Sequence, residues 1–167
     1  MFAVRLPNWL GDVCLAMRAV DALHAFAERA GAGPLSIVSR PWARALWSAH
    51  WPGAAWLDAP SSGGRWLPAV PSLARAHLNT LVLLPPSLSA RLHAFAAGVP
   101  VRVGLANESG GFLLTKSAPR GARGTRHLED EYLDLARVVG ASPVPRRALV
   151  LPAEAEARAR AVEERTG

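Results

Sequence analysis

The first stretch in which residue types and spacing could do chemistry is Leu6-Pro7-Asn8-Trp9-Leu10-Gly11-Asp12. It joins a short apolar run to a segment of helical periodicity and places a carboxylate one residue after a glycine. A helix N-terminus favours the ionised form of such a carboxylate. The glycine lets a ligand approach the backbone closely. An ionised carboxylate in that position can take the proton from a hydroxyl that is becoming a nucleophile. Asp is also a common helix-start residue with no further duty, and spacing alone leaves both readings of Asp12 open. Other chemistries lack their residues. One glycine is not the three-glycine dinucleotide fingerprint, and Gly-Lys-Ser/Thr of a phosphate loop is missing. A Gly-x-Ser-x-Gly nucleophile elbow is absent. No His/Cys/Glu cluster has ligand spacing, so no metal is expected.

Around this turn, Asn8 could bond a ligand hydroxyl or steady the turn. Trp9 could stack on a ligand ring or plug the sheet edge. Ser87 and Ser89 offer hydroxyl donors after a strand. Arg91, Arg102, Arg120, Arg123 and Arg126 are candidate anion contacts, each also readable as a solvated charge. His127 could bind a ligand or begin its helix. Cys14 reads as a small buried hydrophobe, and Trp42, Trp47 and Trp51 as packing. Glu108 has no role that its loop position suggests.

The elements that must hold these residues are legible from punctuation and periodicity. Apolar runs at Phe2–Leu6, Leu35–Ser39, Ala54–Leu57, Thr80–Leu84 and Val101–Leu105 predict strands, with a last short one at Leu149–Leu151. Helical spacing predicts helices over Gly11–Arg29, Trp42–His50 behind Pro41, Leu67–His77, Ser87–Ala97, His127–Val139 and Glu154–Arg165. Ser61-Ser62-Gly63-Gly64 and the stretch Asn107–Arg126 read as loops. Near-continuous apolar strands alternating with helices indicate a parallel sheet covered on both faces. Such sheets bind ligands beyond the carboxyl ends of the strands, after Leu6, Leu84 and Leu105.

The chain has 167 residues, enough for one domain with a core, and 50% of them are hydrophobic. A net charge of +6 attracts anionic partners such as phosphorylated sugar, anionic lipid or nucleic acid. The cations are scattered and no nucleic-acid motif accompanies them, so no nucleic-acid partner is expected. A single cysteine excludes an intramolecular disulfide and fits a reducing compartment. With neither a signal segment nor a long apolar run, the expected location is cytoplasmic. The charged terminal helix has little to bury and reads as the start of something that continues.

That first turn and four further segments carry a family resemblance. Arg5 to Asp12 is similar to the opening of the heptosyltransferases of glycosyltransferase family 9, of the lipopolysaccharide heptosyltransferase II type. Arg40-Pro41-Trp42 follows the second strand as in that family. Val82-Leu83-Leu84-Pro85-Pro86-Ser87-Leu88-Ser89-Ala90 resembles its LPNSxxSA segment, and Ala97 to Gly104 its AGIPxRxG segment. His127 to Leu133 resembles its helix with ERYL, and the likeness covers about residues 2–152. Pro86 departs from the family's usual Asn, which removes an amide contact from that loop.

The resemblance implies an α/β Rossmann-like parallel sheet with helices on both faces, the N-terminal half of a GT-B glycosyltransferase. Residues 1–152 would be the acceptor-binding domain and 153–167 the start of the interdomain helix or linker, with the C-terminal donor domain missing. It implies inverting transfer of heptose from ADP-heptose to the anionic lipopolysaccharide inner core, with Asp12 as general base. Asn8, Trp9, Gly11, Ser87, Ser89, Arg102, Arg126 and His127 would face the acceptor. No cofactor or metal is implied; ADP-heptose is a substrate held mainly by the missing domain. A peripheral contact with the cytoplasmic face of the inner membrane would follow. Two other readings are a non-catalytic acceptor- or partner-binding half-enzyme and, less favoured, a basic nucleic-acid-binding module.

Overall fold

The computed structural model describes residues 1–59, 69–106, 110–122 and 125–166. Strand β1 (Phe2–Arg5) leads into helix α1 (Leu10–Arg29). β2 (Ser36–Ser39), α2 (Pro41–Trp47), β3 (Ala55–Asp58), α3 (Ala69–Arg75), β4 (Thr80–Leu83), α4 (Leu88–Ala96) and β5 (Val101–Leu105) follow. A 3-10 turn at Gly111–Leu113, β6 (Lys116–Ala118), α5 (Leu128–Val138) and α6 (Ala153–Thr166) complete the described elements.

The six strands form one parallel sheet in the order β3-β2-β1-β4-β5-β6. The chain starts at the centre, winds to one edge, then returns to the other side of β1. The switch point therefore lies between β1 and β4, where crevices open beyond the strand ends in such sheets. Val4 pairs in register with Ile37 on one side and Val82 on the other, and Val82 with Val103. Alternate residues face opposite layers. Val4, Leu6, Val82 and Val103 pack with α1, α2 and α5, while Ala3, Leu81 and Leu83 pack with α3 and α4.

Local sequence explains the helix starts nearest the candidate edge. Pro41 begins α2, where its missing N–H costs nothing. Ser87 caps α4, its Oγ accepting from the Ala90 N–H at 3.3 Å. His127 caps α5 through Nδ1, which accepts from the Glu129 N–H at 3.3 Å. Gly110 precedes the 3-10 turn at φ 78°, and a Cβ there would stand 2.6 Å from Leu88 Cδ1, so only glycine fits.

Three expectations change. Leu149–Leu151 is not a strand: the Val150 N–H donates to His50 Nδ1 at 3.2 Å rather than to a ladder. Lys116–Ala118, inside a stretch read as loop, is the edge strand β6; it pairs on one side only and needs no apolar run. Cys14 is exposed, because it falls on the outer side of α1, away from Val13 and Ala16. Trp47 and Trp51 are buried and Trp42 packs edge-on against Trp47 at 6.0 Å, as their packing role requires. The Ser61–Gly64 loop, Glu108 and Arg123 lie outside the described residues.

Beyond α5 the chain is tied down by charge. Asp21 is buried and accepts from Trp51 Nε1 at 2.8 Å and Arg147 Nη2 at 2.7 Å. Glu129 accepts from Arg18 at 3.1 Å and also pairs with Arg146. Two linker arginines thereby clamp onto α1 and α5.

Candidate active site

The chain leaves β1 at Arg5 and crosses the carboxyl edge through Leu6–Trp9. Helix α1 begins as the Trp9 carbonyl accepts from the Val13 N–H at 3.0 Å. Trp9 supplies no side-chain cap. Asp12 sits in the first turn, half-exposed, in the favourable field of the free N–H groups. It does not act as a cap, and among the described residues its carboxylate has no hydrogen bond or ion pair. A Cβ on the neighbouring Gly11 would meet nothing within 4 Å, so the space beside the carboxylate is open and the glycine is not needed for packing.

Trp9 is 76% exposed, which overturns the plug reading and leaves its indole faces available. Asn8 is exposed, and its Oδ1 accepts from Arg40 Nε at 3.4 Å. That bond joins the two loops after β1 and β2. Arg5 is buried on the other side of the edge, its Nη1 3.1 Å from His93 Nδ1. Burial first, and the charge of Arg40 second, lower its pKa to about 10. It stays cationic at neutral pH.

Helix α5 contributes the closest approach from the distant sequence. Tyr132 is 1% exposed, and its phenol pKa is pushed well above the ordinary 10. Burial is the main cause; the negative charges of Asp12 and Glu131 add to it and Arg120 opposes it. Glu131 is buried and accepts from the Gly121 N–H at 2.9 Å, fixing the loop after β6. Arg91 is buried on α4 and its Nη2 donates to the Leu105 carbonyl at 2.7 Å, pinning the end of β5. Burial, then the charge of Arg120, lowers the Arg91 pKa. Asp12, Tyr132, Glu131, Arg120 and Arg91 thus share one electrostatic neighbourhood at the carboxyl edge.

The remaining predicted residues divide. Ser87 and Ser89 lie at the same edge with their Oγ atoms 3.4 Å apart, Ser87 engaged as a cap and Ser89 exposed. His127 is a helix cap. Arg126 pairs with Asp134 at 2.7 Å, and that hydrogen bond raises its pKa. Arg102 does not join the group. It is the second residue of β5, at the opposite end of the sheet, where Nε donates to the Leu113 carbonyl at 2.6 Å.

Sequence reasoning named Asn8, Trp9, Gly11 and Asp12 but missed Tyr132, Glu131, Arg40 and Arg5 as neighbours of the edge. Tyr132 is the only tyrosine in the chain and looked like one more apolar residue of its helix. Its hydroxyl was the available signal, since a buried phenol needs a reason.

No family model matches the chain, and no curated protein does. Solved structures do. Heptosyltransferase II of E. coli, an ADP-heptose lipopolysaccharide heptosyltransferase, superposes with a TM-score of 0.70 at 20% identity, over 99% of this chain and 50% of that one. A family 9 glycosyl transferase from Veillonella parvula gives 0.72 at 19% identity, over 99% and 49%. The E. coli heptosyltransferase WaaC, solved with ADP-2-deoxy-2-fluoro heptose, gives 0.61 at 12% identity, over 88% and 51%. The chain has the fold of half a GT-B heptosyltransferase. It spans about half the length of the solved structures it matches. The likeness to these glycosyltransferases is one of fold, carried by the Rossmann-like parallel sheet and the helices on its two faces.

Proposed function

We propose that this chain is the acceptor-side half of a glycosyltransferase that moves heptose from ADP-heptose to the lipopolysaccharide inner core with inversion. Residues 1–152 form its N-terminal domain, and 153–167 begin the link to a donor-holding half. The observation that carries the reading is the Asp12 carboxylate: ionisable, at the carboxyl edge beside the switch point, next to open space at Gly11, and held by no hydrogen bond or ion pair among the described residues.

In this reading Asp12 accepts the proton of the acceptor hydroxyl as that oxygen bonds to the anomeric carbon. The bond to the diphosphate breaks on the opposite face and ADP leaves with its electron pair. Asp12 needs to stand about 2.6–3.2 Å from the hydroxyl oxygen. Trp9 offers a stacking face to the acceptor ring, and Asn8 and Ser89 offer polar contacts. Arg120 and Arg40 face the acceptor's anionic groups. Arg126 and His127 contact the acceptor only as their own partners allow. The protein works at the cytoplasmic face of the inner membrane.

The test is Asp12→Asn in a two-domain protein containing this chain, assayed for transfer from ADP-heptose. The variant loses roughly 10²–10⁴-fold in turnover while binding donor normally. Turnover within about threefold of the parent removes Asp12 from the role. The exposed Trp9 and Asn8 would also suit a second reading, an acceptor-binding module without chemistry; there, acceptor binding survives Asp12→Asn and no turnover is found in any two-domain form.

A further inference from the structure

The net charge is not spread along the chain. Residues 59–128 hold eight of the nineteen Lys and Arg but only one of the thirteen Asp and Glu, a net of +7, so the rest of the chain stands at −1. Among the described residues the acidic groups also fall mainly on one side of the sheet. Helix α4 packs against α3, β4, β5 and the Gly111–Leu113 turn, and none of these elements contains an acidic residue. Across the sheet, α1 and α5 together carry seven.

An apolar stripe runs along the acid-free side. Leu88, Leu92 and Phe95 recur at helical spacing on α4 and all three are exposed, Phe95 by 55%. Phe112, 86% exposed, extends the stripe from the adjoining turn. The turn lies against α4, because Leu88 Cδ1 occupies the space in front of Gly110. Arg102 binds the two parts together: its guanidinium lies 5.4 Å over the Phe95 ring while its Nε holds the Leu113 carbonyl. Arg75 is exposed at the end of α3, which packs on α4, and Arg120, whose charge reaches Arg91 of α4, is exposed as well.

Among the described residues, four exposed large apolar side chains stand on elements with cations and no acid, a surface suited to a partner both negative and greasy. A second copy presenting the same face would set like charge against like. Nucleic acid answers the charge but gives aliphatic side chains nothing to bury in. A bilayer with anionic headgroups answers both, and no described helix is long and apolar enough to cross a membrane, so the contact lies in the surface plane.

We infer that α4 and the Gly111–Leu113 turn form a membrane-docking face, which seats Phe112, Leu88, Leu92 and Phe95 among the headgroups of an anionic bilayer. This stands independently of the transferase reading. Leu88 follows the Ser87 cap at the carboxyl edge, so the docked face abuts the edge that holds Asp12.

The experiment is co-sedimentation of the 167-residue chain with vesicles of phosphatidylcholine alone or mixed with phosphatidylglycerol. The chain sediments with the mixed vesicles and not with phosphatidylcholine alone, and salt weakens the binding. Phe112→Ser combined with Leu92→Ser lowers partition about tenfold or more, with the far-UV circular dichroism of the parent. Arg75→Glu weakens binding without touching the apolar stripe. No sedimentation with anionic vesicles at low salt overturns the inference. So does binding that the double variant leaves unchanged, or duplex DNA binding of equal strength that is indifferent to it. A concentration-dependent dimer that the double variant dissociates, in a chain that ignores vesicles, assigns the stripe to self-association instead.

Discussion

Tyr132 on α5 lies within the field of the Asp12 carboxylate at the start of α1, 120 residues earlier in the chain, and that negative charge helps the phenol keep its proton. The pair couples the candidate base to the helix that closes the α1 side of the sheet. Because Tyr132 is the only tyrosine, its ionisation can be read without ambiguity.

An ultraviolet titration at the tyrosinate band should therefore show a midpoint well above 10, moving down in Asp12→Asn as one of its causes is removed. The raised pKa has a consequence for stability. The neutral phenol is the form that the fold favours, so its contribution is complete below pH 10 and is lost as pH rises toward the folded-state pKa. Denaturant midpoints should fall on the alkaline side in the parent and less so in Tyr132→Phe. A midpoint at the ordinary tyrosine value would contradict the burial.

His50 sets the acid side. Burial lowers its pKa, Asp21 opposes that and Arg147 reinforces it. Its folded pKa lies below 6.5, so the stability it contributes is present above about pH 6.5 and is lost as pH falls through the lowered value. Melting temperature should drop on acidification, and His50→Asn should flatten that drop. An unchanged pH profile in the variant would assign the acid limb to other groups.

Asp21→Ala should cost about 1–3 kcal/mol, chiefly because it strands the buried Trp51 N–H; the half-exposed Arg147 guanidinium can turn to water. Urea unfolding measures it. A loss under about 1 kcal/mol would mean that the linker re-pairs elsewhere.

Trp9→Ala should leave stability within about 0.5 kcal/mol of the parent, since so exposed a side chain has little packing to lose. If the indole stacks on a sugar, the same change should raise the acceptor KM of the two-domain protein. Thermal melts and acceptor titrations separate the two effects.

Gly110→Ala should destabilise by about 1–3 kcal/mol, from a positive φ and from the clash with Leu88. A melt within error of the parent would show that the turn can move away from α4.

The sequence by itself determined the sheet's character and the first turn. Five apolar runs separated by helical periodicity marked the parallel strands, though Leu149–Leu151 did not join them, and Gly11-Asp12 marked the point where a strand gives way to a helix. These are local facts, fixed by spacing of two or 3.6 residues and by punctuation at Pro and Gly. Tertiary structure decided the rest. It brought Tyr132 and Arg120 toward Asp12, and placed Arg102 at the far end of its strand. It made an edge strand of Lys116–Ala118 and turned Cys14 outward. It also gathered the exposed apolar side chains of α4 and the Gly111–Leu113 turn side by side. Periodicity along a chain reports which side of an element is apolar. Which element lies beside which, and at what register, follows from strand order, and that is a property of the assembled sheet.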